Sequence, residues 1–283
     1  MPAKLLEGKP VADAVLDRVA ARVAALRERG VVPGLATILV GDDAASAGYV
    51  RKKHEACAAV GCWSENVHLP ASTTEDELYA AIDRLNDDPR VHALLIQHPL
   101  PPRLDFGRAL LRMDPVKDAD GLHPTNLGRL AIGAPGPIPA TPAGVRAMLL
   151  HYRIPTAGRH VVVIGRGPTL GRPLSMLLSG KTEGANAAVT VVHSGVANLA
   201  EYTIRADILI AGVGQPGIVR PEMVRGGTVV VSAGITWQGK RLVPDVDESV
   251  GEKASWITPR LGGVGVTTVA MLLQNTVQLA ESR

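Results

Sequence analysis

The stretch Val161-Val-Val-Ile-Gly165-Arg166-Gly167-Pro168-Thr169-Leu170-Gly171-Arg172-Pro173 decides the fold of this 283-residue chain. Four apolar β-formers run into a glycine-rich turn, and the turn runs into Leu174-Ser-Met-Leu-Leu178, which reads as a helix. A buried strand that feeds a helix N-terminus through glycines suits a phosphate. The backbone can approach closely, and the unpaired N–H groups and dipole of the first helical turn favour negative charge. The glycines at 165, 167 and 171 are spaced one residue longer than the G-x-G-x-x-G of dinucleotide-binding turns. Such a match alone also occurs in turns that bind nothing. Further apolar runs that end in loops favour the ligand reading, because ligands of parallel sheets sit at the carboxyl ends of strands.

Those runs lie C-terminal to the turn. A strand at 188–192 ends in His193-Ser194, one at 208–213 in Gly214-Gln-Pro-Gly217, and one at 228–231 in Ser232-Ala-Gly234-Ile235. Residues 256–258 can form a last short strand. Leu261-Gly262-Gly263-Val264-Gly265 then precedes an amphipathic helix from Thr267 to about Glu281. The second strand ends in His193-Ser194, where an acid commonly binds the ribose hydroxyls of NAD. Arg166 and Arg172 lie in the turn itself. They read either as surface charge or as part of a cationic pocket that takes an additional 2′-phosphate, so NADP is favoured over NAD.

N-terminal to the turn the pattern is again α/β. Helices are expected over about 10–29, 46–60, 74–86 and 105–112, with strands at 35–40, 66–69 and 92–97. Asp42 or Asp43 can cap the second helix, and Thr74 with Glu77 has capping-box spacing. The strand at 92–97 stops at His98-Pro99-Leu100-Pro101-Pro102, where the prolines forbid continuation. Asp114 to Pro142 is rich in Pro and Gly and reads as a long irregular segment, either linker or functional. A helix capped by Thr141 follows to Tyr152.

Composition agrees. Aromatics are 3% of the chain against 46% apolar residues, so the core is aliphatic, as in buried parallel strands. The net charge of +3 is small and scattered, which argues against a nucleic-acid surface. The N-terminus lacks the apolar core of a signal peptide, and no stretch reaches the length of a membrane span. Cys57 and Cys62 match neither a redox pair nor a zinc motif. They read as reduced thiols of a cytoplasmic protein, and no metal is expected.

Tyr49 and Lys53 are four residues apart and share a helix face. A lysine in a cleft can serve as acid or base if its pKa falls, although a solvated lysine is the usual reading beside Arg51 and Lys52. Gln97 ends a buried strand. Asp114, Asp118 and Asp120 can be turn caps. None of these decides a function by itself.

Taken together and in order, the motifs resemble a family. They are Tyr49-Val-Arg-Lys-Lys53, Gln97-His-Pro-Leu-Pro101, Asp114-Pro-Val-Lys-Asp-Ala-Asp120-Gly-Leu-His-Pro124, Ala140-Thr-Pro142, Gly165-Arg166 with Gly171-Arg-Pro173, His193-Ser194, Gly262-Gly-Val-Gly265 and Thr268-Val-Ala-Met-Leu-Leu273. Nearly the whole chain is similar to the bifunctional methylenetetrahydrofolate dehydrogenase/cyclohydrolases. The resemblance implies two α/β domains with a cleft between them, the second a Rossmann-type parallel sheet. Residues 1–140 plus 267–283 would form the folate-binding domain and 141–266 the NADP-binding domain. It implies hydride transfer from 5,10-methylenetetrahydrofolate to NADP, then hydrolysis of the methenyl product to 10-formyltetrahydrofolate. By the same resemblance Lys53 is the principal residue of hydrolysis, Gln97 holds and tunes it, Tyr49 stacks on the aminobenzoyl ring, and Asp120 anchors the pterin. Pro99, Leu100 and Gly263 would line the folate pocket. Gly165, Arg166, Gly167, Gly171, Arg172, Ser194, Ile235 and Thr268 would serve the cofactor, with Arg166 and Ser194 at the 2′-phosphate. A homodimer is expected, as in the family. His98 stands where the family more often has Leu, and Gly167 where it often has Ser. Two other readings stay open on the residues alone: an NAD(P)-dependent oxidoreductase for another small substrate, and a weakly catalytic folate- or nucleotide-binding paralogue.

Overall fold

The computed structural model describes residues 2–239 and 241–283. In chain order the elements are β1 (Lys4–Leu5), α1 (Gly8–Glu28), β2 (Gly34–Val40), α2 (Ala44–Val60), β3 (Trp63–Leu69), α3 (Glu75–Asp87), β4 (Ala93–Ile96), α4 (Phe106–Arg112), α5 (Pro124–Ile132) and α6 (Ala140–His151). There follow β5 (His160–Ile164), α7 (Gly171–Ser179), β6 (Ala188–Val192), α8 (Ala200–Thr203), β7 (Ile208–Ala211), β8 (Val229–Ser232), β9 (Ile235–Gln238), β10 (Arg241–Pro244), β11 (Trp256–Ile257) and α9 (Val264–Glu281). Among the described residues no helix is long and apolar enough to cross a membrane.

The chain divides into two compact units, Met1–Ala12 with Thr141–Thr268, and Asp13–Ala140 with Val269–Arg283. The first twelve residues therefore depart from the expected grouping. The physical reason is β1, which pairs in parallel with β11 at Lys4↔Trp256 and Leu5↔Ile257. A two-residue strand leaves too short a pattern to be read from sequence.

In the unit holding residues 141–268, six parallel strands run in the order β1-β11-β8-β7-β5-β6. Alternate residues of β5 enter separate clusters: Val161 and Val163 join one, Val162 and Ile164 the other. Burial on both faces is why the strand reads as a continuous apolar run. The chain passes from β5 to β6 on one side and returns to β7 on the other. The switch point thus lies at the carboxyl ends of β5 and β7, where open α/β sheets bind ligands.

The other unit holds a three-stranded parallel sheet, β3-β2-β4, with β2 central and all seven of its residues buried. Asp43, in an extended conformation, caps α2 by accepting from Ser46 N at 2.8 Å. Thr74 and Glu77 form the expected capping box on α3. The segment expected to be irregular contains α5. His123 caps that helix through Nδ1, Pro124 is its first residue, and Gly133 ends it in the left-handed region. The proline-rich flanks hid a nine-residue helix that begins on the favourable proline position. The two-stranded antiparallel pair β9–β10 was also not anticipated.

Candidate active site

The expected site residues fall into two groups, one in each compact unit. In the smaller sheet's unit, Lys53 projects from α2 and is 6% exposed. Its Nζ donates to Gln97 Oε1 at 2.8 Å. Gln97 follows β4, and its backbone N–H continues the ladder to Ile38 O at 2.8 Å. The Gln97 amide nitrogen donates to His98 O at 2.8 Å, which fixes the oxygen toward the lysine. The His98 ring packs edge-on to Phe106 at 4.8 Å between centroids. Tyr49 lies one turn before Lys53 on α2 and is 40% exposed. Pro99 is exposed and Leu100 half-buried against the local core.

Burial holds the Lys53 ammonium below the ordinary lysine range, partly offset by the Asp120 carboxylate. Burial pushes Asp120 up to about 6, against the pull of Lys53 and with the added repulsion of Asp118. Both shifts put these groups nearer neutral pH than free side chains.

The placement of Asp120 depends on residues that sequence reading passed over as caps or did not consider. Ala119 N bonds Leu94 O at 3.1 Å, joining the segment to the first half of β4. Asp118 is fully buried and accepts from His123 N at 2.7 Å and Asn126 Nδ2 at 2.8 Å. Asn275, in α9, donates to Ala119 O at 2.9 Å and Ile138 O at 2.8 Å. These contacts hold both sides of Asp120, and the one to Asn275 spans 156 residues. No local pattern signals it. Cys57 and Cys62 are unpaired and buried, and burial raises both thiols, Cys62 to about 11.

In the larger sheet's unit, Gly165 has φ +113°, and a Cβ there would stand 2.9 Å from Val213 Cγ1. A Cβ at Gly171 would stand 2.1 Å from Gly165 O, so the turn and the first residue of α7 touch through backbone alone. Gly167 differs, because nothing lies within 4 Å of a Cβ placed there. α7 has no side-chain cap. Arg166, Arg172 and Ser194 are exposed, and among the described residues neither guanidinium has an ion-pair partner. Register brings the sites together: Ile164 pairs with Val192, and Arg166 and Ser194 each follow two residues later. An open turn, an uncapped helix N-terminus and two unpaired cations at one strand end fit a phosphorylated dinucleotide.

Asp245 is buried and shapes the neighbouring loop. Its Oδ2 accepts from Val213 N at 2.6 Å and Gly214 N at 3.1 Å. Ile235 opens β9, opposite Pro244. Thr268 Oγ1 donates to Val264 O at 3.1 Å and accepts from the Thr141 hydroxyl at 3.3 Å. Gly263, expected beside folate, lies in this unit and is buried.

Comparison with known proteins decides the family. Residues 6–120 match the catalytic domain of tetrahydrofolate dehydrogenase/cyclohydrolase, and residues 139–283 match its NAD(P)-binding domain. The chain belongs to the tetrahydrofolate dehydrogenase/cyclohydrolase family. It is 63% identical over all 283 residues to the bifunctional protein FolD of Syntrophotalea carbinolica, covering 98% of that protein. The Campylobacter jejuni enzyme FolD, a methylenetetrahydrofolate dehydrogenase/cyclohydrolase, superimposes with a TM-score of 0.94 at 39% identity, over 99% of both chains. The Trypanosoma brucei member, solved with NADP cofactor and an inhibitor, gives 0.94 at 38% identity over 100% and 98% of the chains. Family membership makes the chain a two-domain α/β enzyme with a Rossmann-like NAD(P)-binding domain.

The raised Asp120 carboxyl has a consequence for folding. A carboxyl that binds its proton more tightly when folded weakens the fold as pH rises from about 4 to about 6. Asp120→Asn removes that loss. Relative to the native chain, the variant is expected to gain on the order of 2 kcal/mol more at pH 7 than at pH 4. Urea unfolding at both pH values measures the difference, and an equal effect at both would contradict the assignment.

Proposed function

We infer that this chain oxidises 5,10-methylenetetrahydrofolate to the 5,10-methenyl cation with NADP, and hydrolyses that cation to 10-formyltetrahydrofolate. The observation that carries this reading is the buried Lys53 ammonium bonded to Gln97 with Asp120 in Coulomb range. Family membership and the NADP-bound relative support the same substrate class and cofactor.

For the hydride step the cofactor supplies the acceptor, and the protein supplies alignment. Arg166, Arg172 and Ser194 would hold the 2′-phosphate end, and Gly165, Gly167 and Gly171 would admit the diphosphate to the N-terminus of α7. Ile235 and Thr268 would touch the cofactor. Tyr49 would stack on the aminobenzoyl ring and Asp120 would accept from the pterin N–H groups, with Pro99 and Leu100 lining the folate pocket.

Hydrolysis is where Lys53 acts. The methenyl group is a cation, so its arrival adds like-charge repulsion to the burial that already disfavours an ammonium. Neutral Lys53 takes a proton from the attacking water. As the C–N bond breaks, the resulting ammonium returns that proton to the departing ring nitrogen, and the hydroxyl added from water loses its own proton to solvent as the formyl C=O forms. Gln97 Oε1 accepts from Nζ in either charge state and holds its direction.

We also infer a homodimer. Trp237 is 55% exposed on β9, which pairs only with β10 among the described strands. An exposed aromatic on a two-stranded sheet with open edges suits a second copy. Light scattering should give about twice the chain mass of 29.6 kDa, and a monomer would refute the inference.

Lys53→Met is expected to abolish hydrolysis of methenyltetrahydrofolate while a measurable part of the hydride transfer survives. Absorbance of the methenyl product follows both steps. Equal loss of the two would make Lys53 a substrate-binding residue only. Arg166→Ala is expected to raise KM for NADP by about tenfold or more, the loss of one charged contact to phosphate, with little change for NAD. Equal effects on both cofactors would move Arg166 away from the 2′-phosphate.

A further inference from the structure

Residue 54, next to the lysine, carries a second polar array that the reaction as described does not use. β2 is buried along its whole length, and Thr37 is its one polar side chain. A hydroxyl in such a strand needs partners. Thr37 Oγ1 donates to Asn66 Oδ1 at 2.9 Å, its register neighbour on β3. It also meets His54 Nε2 at 2.9 Å. The other ring nitrogen, Nδ1, lies 2.8 Å from Ser64 Oγ, two residues back along β3.

The proton directions follow from supply. Thr37 has one proton and gives it to Asn66, so it accepts from His54 Nε2–H. Nδ1 is then bare and accepts from Ser64. One neutral imidazole completes a chain from Ser64 through His54 and Thr37 to Asn66. Burial and the adjacent Lys53 charge both favour the neutral ring.

We propose that His54 is a positioning residue for hydrolysis: it clamps α2 to β2 and β3 so that Lys53 stays aligned with Gln97. The proposal rests on the role given to Lys53 above. The remaining buried contacts of α2 come from Ser46, Val50, Cys57 and Val60, short side chains that tolerate a small roll of the helix. Hydrogen bonds tolerate it less. The Lys53 nitrogen stands roughly 8 Å from the helix axis, so a roll of about 10° moves it by about 1.4 Å. That exceeds the whole range of hydrogen-bond lengths and breaks a 2.8 Å contact. Tyr49 moves with the same roll, but a ring-stacking contact is less directional than a hydrogen bond and tolerates the slide better.

The test uses the full chain with His54→Ala, His54→Gln and Thr37→Val. His54→Ala should lower kcat for hydrolysis about tenfold more than it lowers hydride transfer, with KM for the methenyl substrate within about twofold. His54→Gln, whose amide can still donate to Thr37, should recover much of the loss. Thr37→Val should reproduce it from the other end of the chain, and it serves if His54→Ala does not fold. NMR titration of the Lys53 amine, which needs no turnover, should show its midpoint rising toward the ordinary lysine value as water reaches the slackened side chain. Parallel loss of both activities, or an unmoved Lys53 midpoint, overturns the proposal. Retained hydrolysis in Lys53→Met would instead overturn the role of Lys53, and the titration would still judge the clamp.

Discussion

A lysine is held out of water by one amide oxygen. The contact between Lys53 Nζ and Gln97 Oε1 sets the terms for the smaller sheet's unit. Removing an ammonium from water costs several kcal/mol. A hydrogen bond to a charged group returns about 1.5–3 kcal/mol, and a carboxylate in Coulomb range returns part of the rest. The sum leaves the ammonium destabilised, so Lys53 gives up its proton more readily than a free lysine. Each partner must then be held firmly. Gln97 is held by the β4 ladder and by His98 O, and Asp120 by contacts on both sides. Chemistry and rigidity are one requirement here.

The larger unit solves a different problem with different means. It has little need of tuned side chains, because the cofactor carries the reactive group. It needs a backbone that can come close to phosphate. Gly165 and Gly171 are required by contacts with other backbone atoms, whereas Gly167 faces open space. Asp245 folds the next loop by accepting two successive N–H groups, so a buried carboxylate does structural work that ligand anions do at other turns.

The legibility of the sequence follows the range of the interactions. The glycine turn, the Thr74–Glu77 capping box and the two-sided burial of β5 are written in neighbouring residues, and each is where its pattern placed it. The missed features are short or distant. β1 has two residues and exists only through β11. α5 lies between prolines that read as irregular chain. Lys53, Gln97 and Asp120 were found by resemblance, since each alone has an ordinary surface or capping role. The Asp118–Asn126 pair, Asn275 and the His54 chain had no signal, because polar partners brought together by folding leave no periodicity behind.

The division between the units falls inside α1 and inside α9, so each unit is assembled from two separate stretches of chain. Synthesis proceeds from the N-terminus, and domains generally begin to fold as they emerge. The unit that holds Lys53 cannot finish in that way. Its Asp120 segment waits for Asn275, 156 residues beyond Ala119, and Arg22 waits for its bidentate partner Glu281, 259 residues further on. The intervening nucleotide-binding stretch is made first. The unit that holds Lys53 is thus completed only after the nucleotide-binding stretch and α9 have both been made, and a chain that stops short of α9 carries the cofactor turn without a finished Asp120 segment.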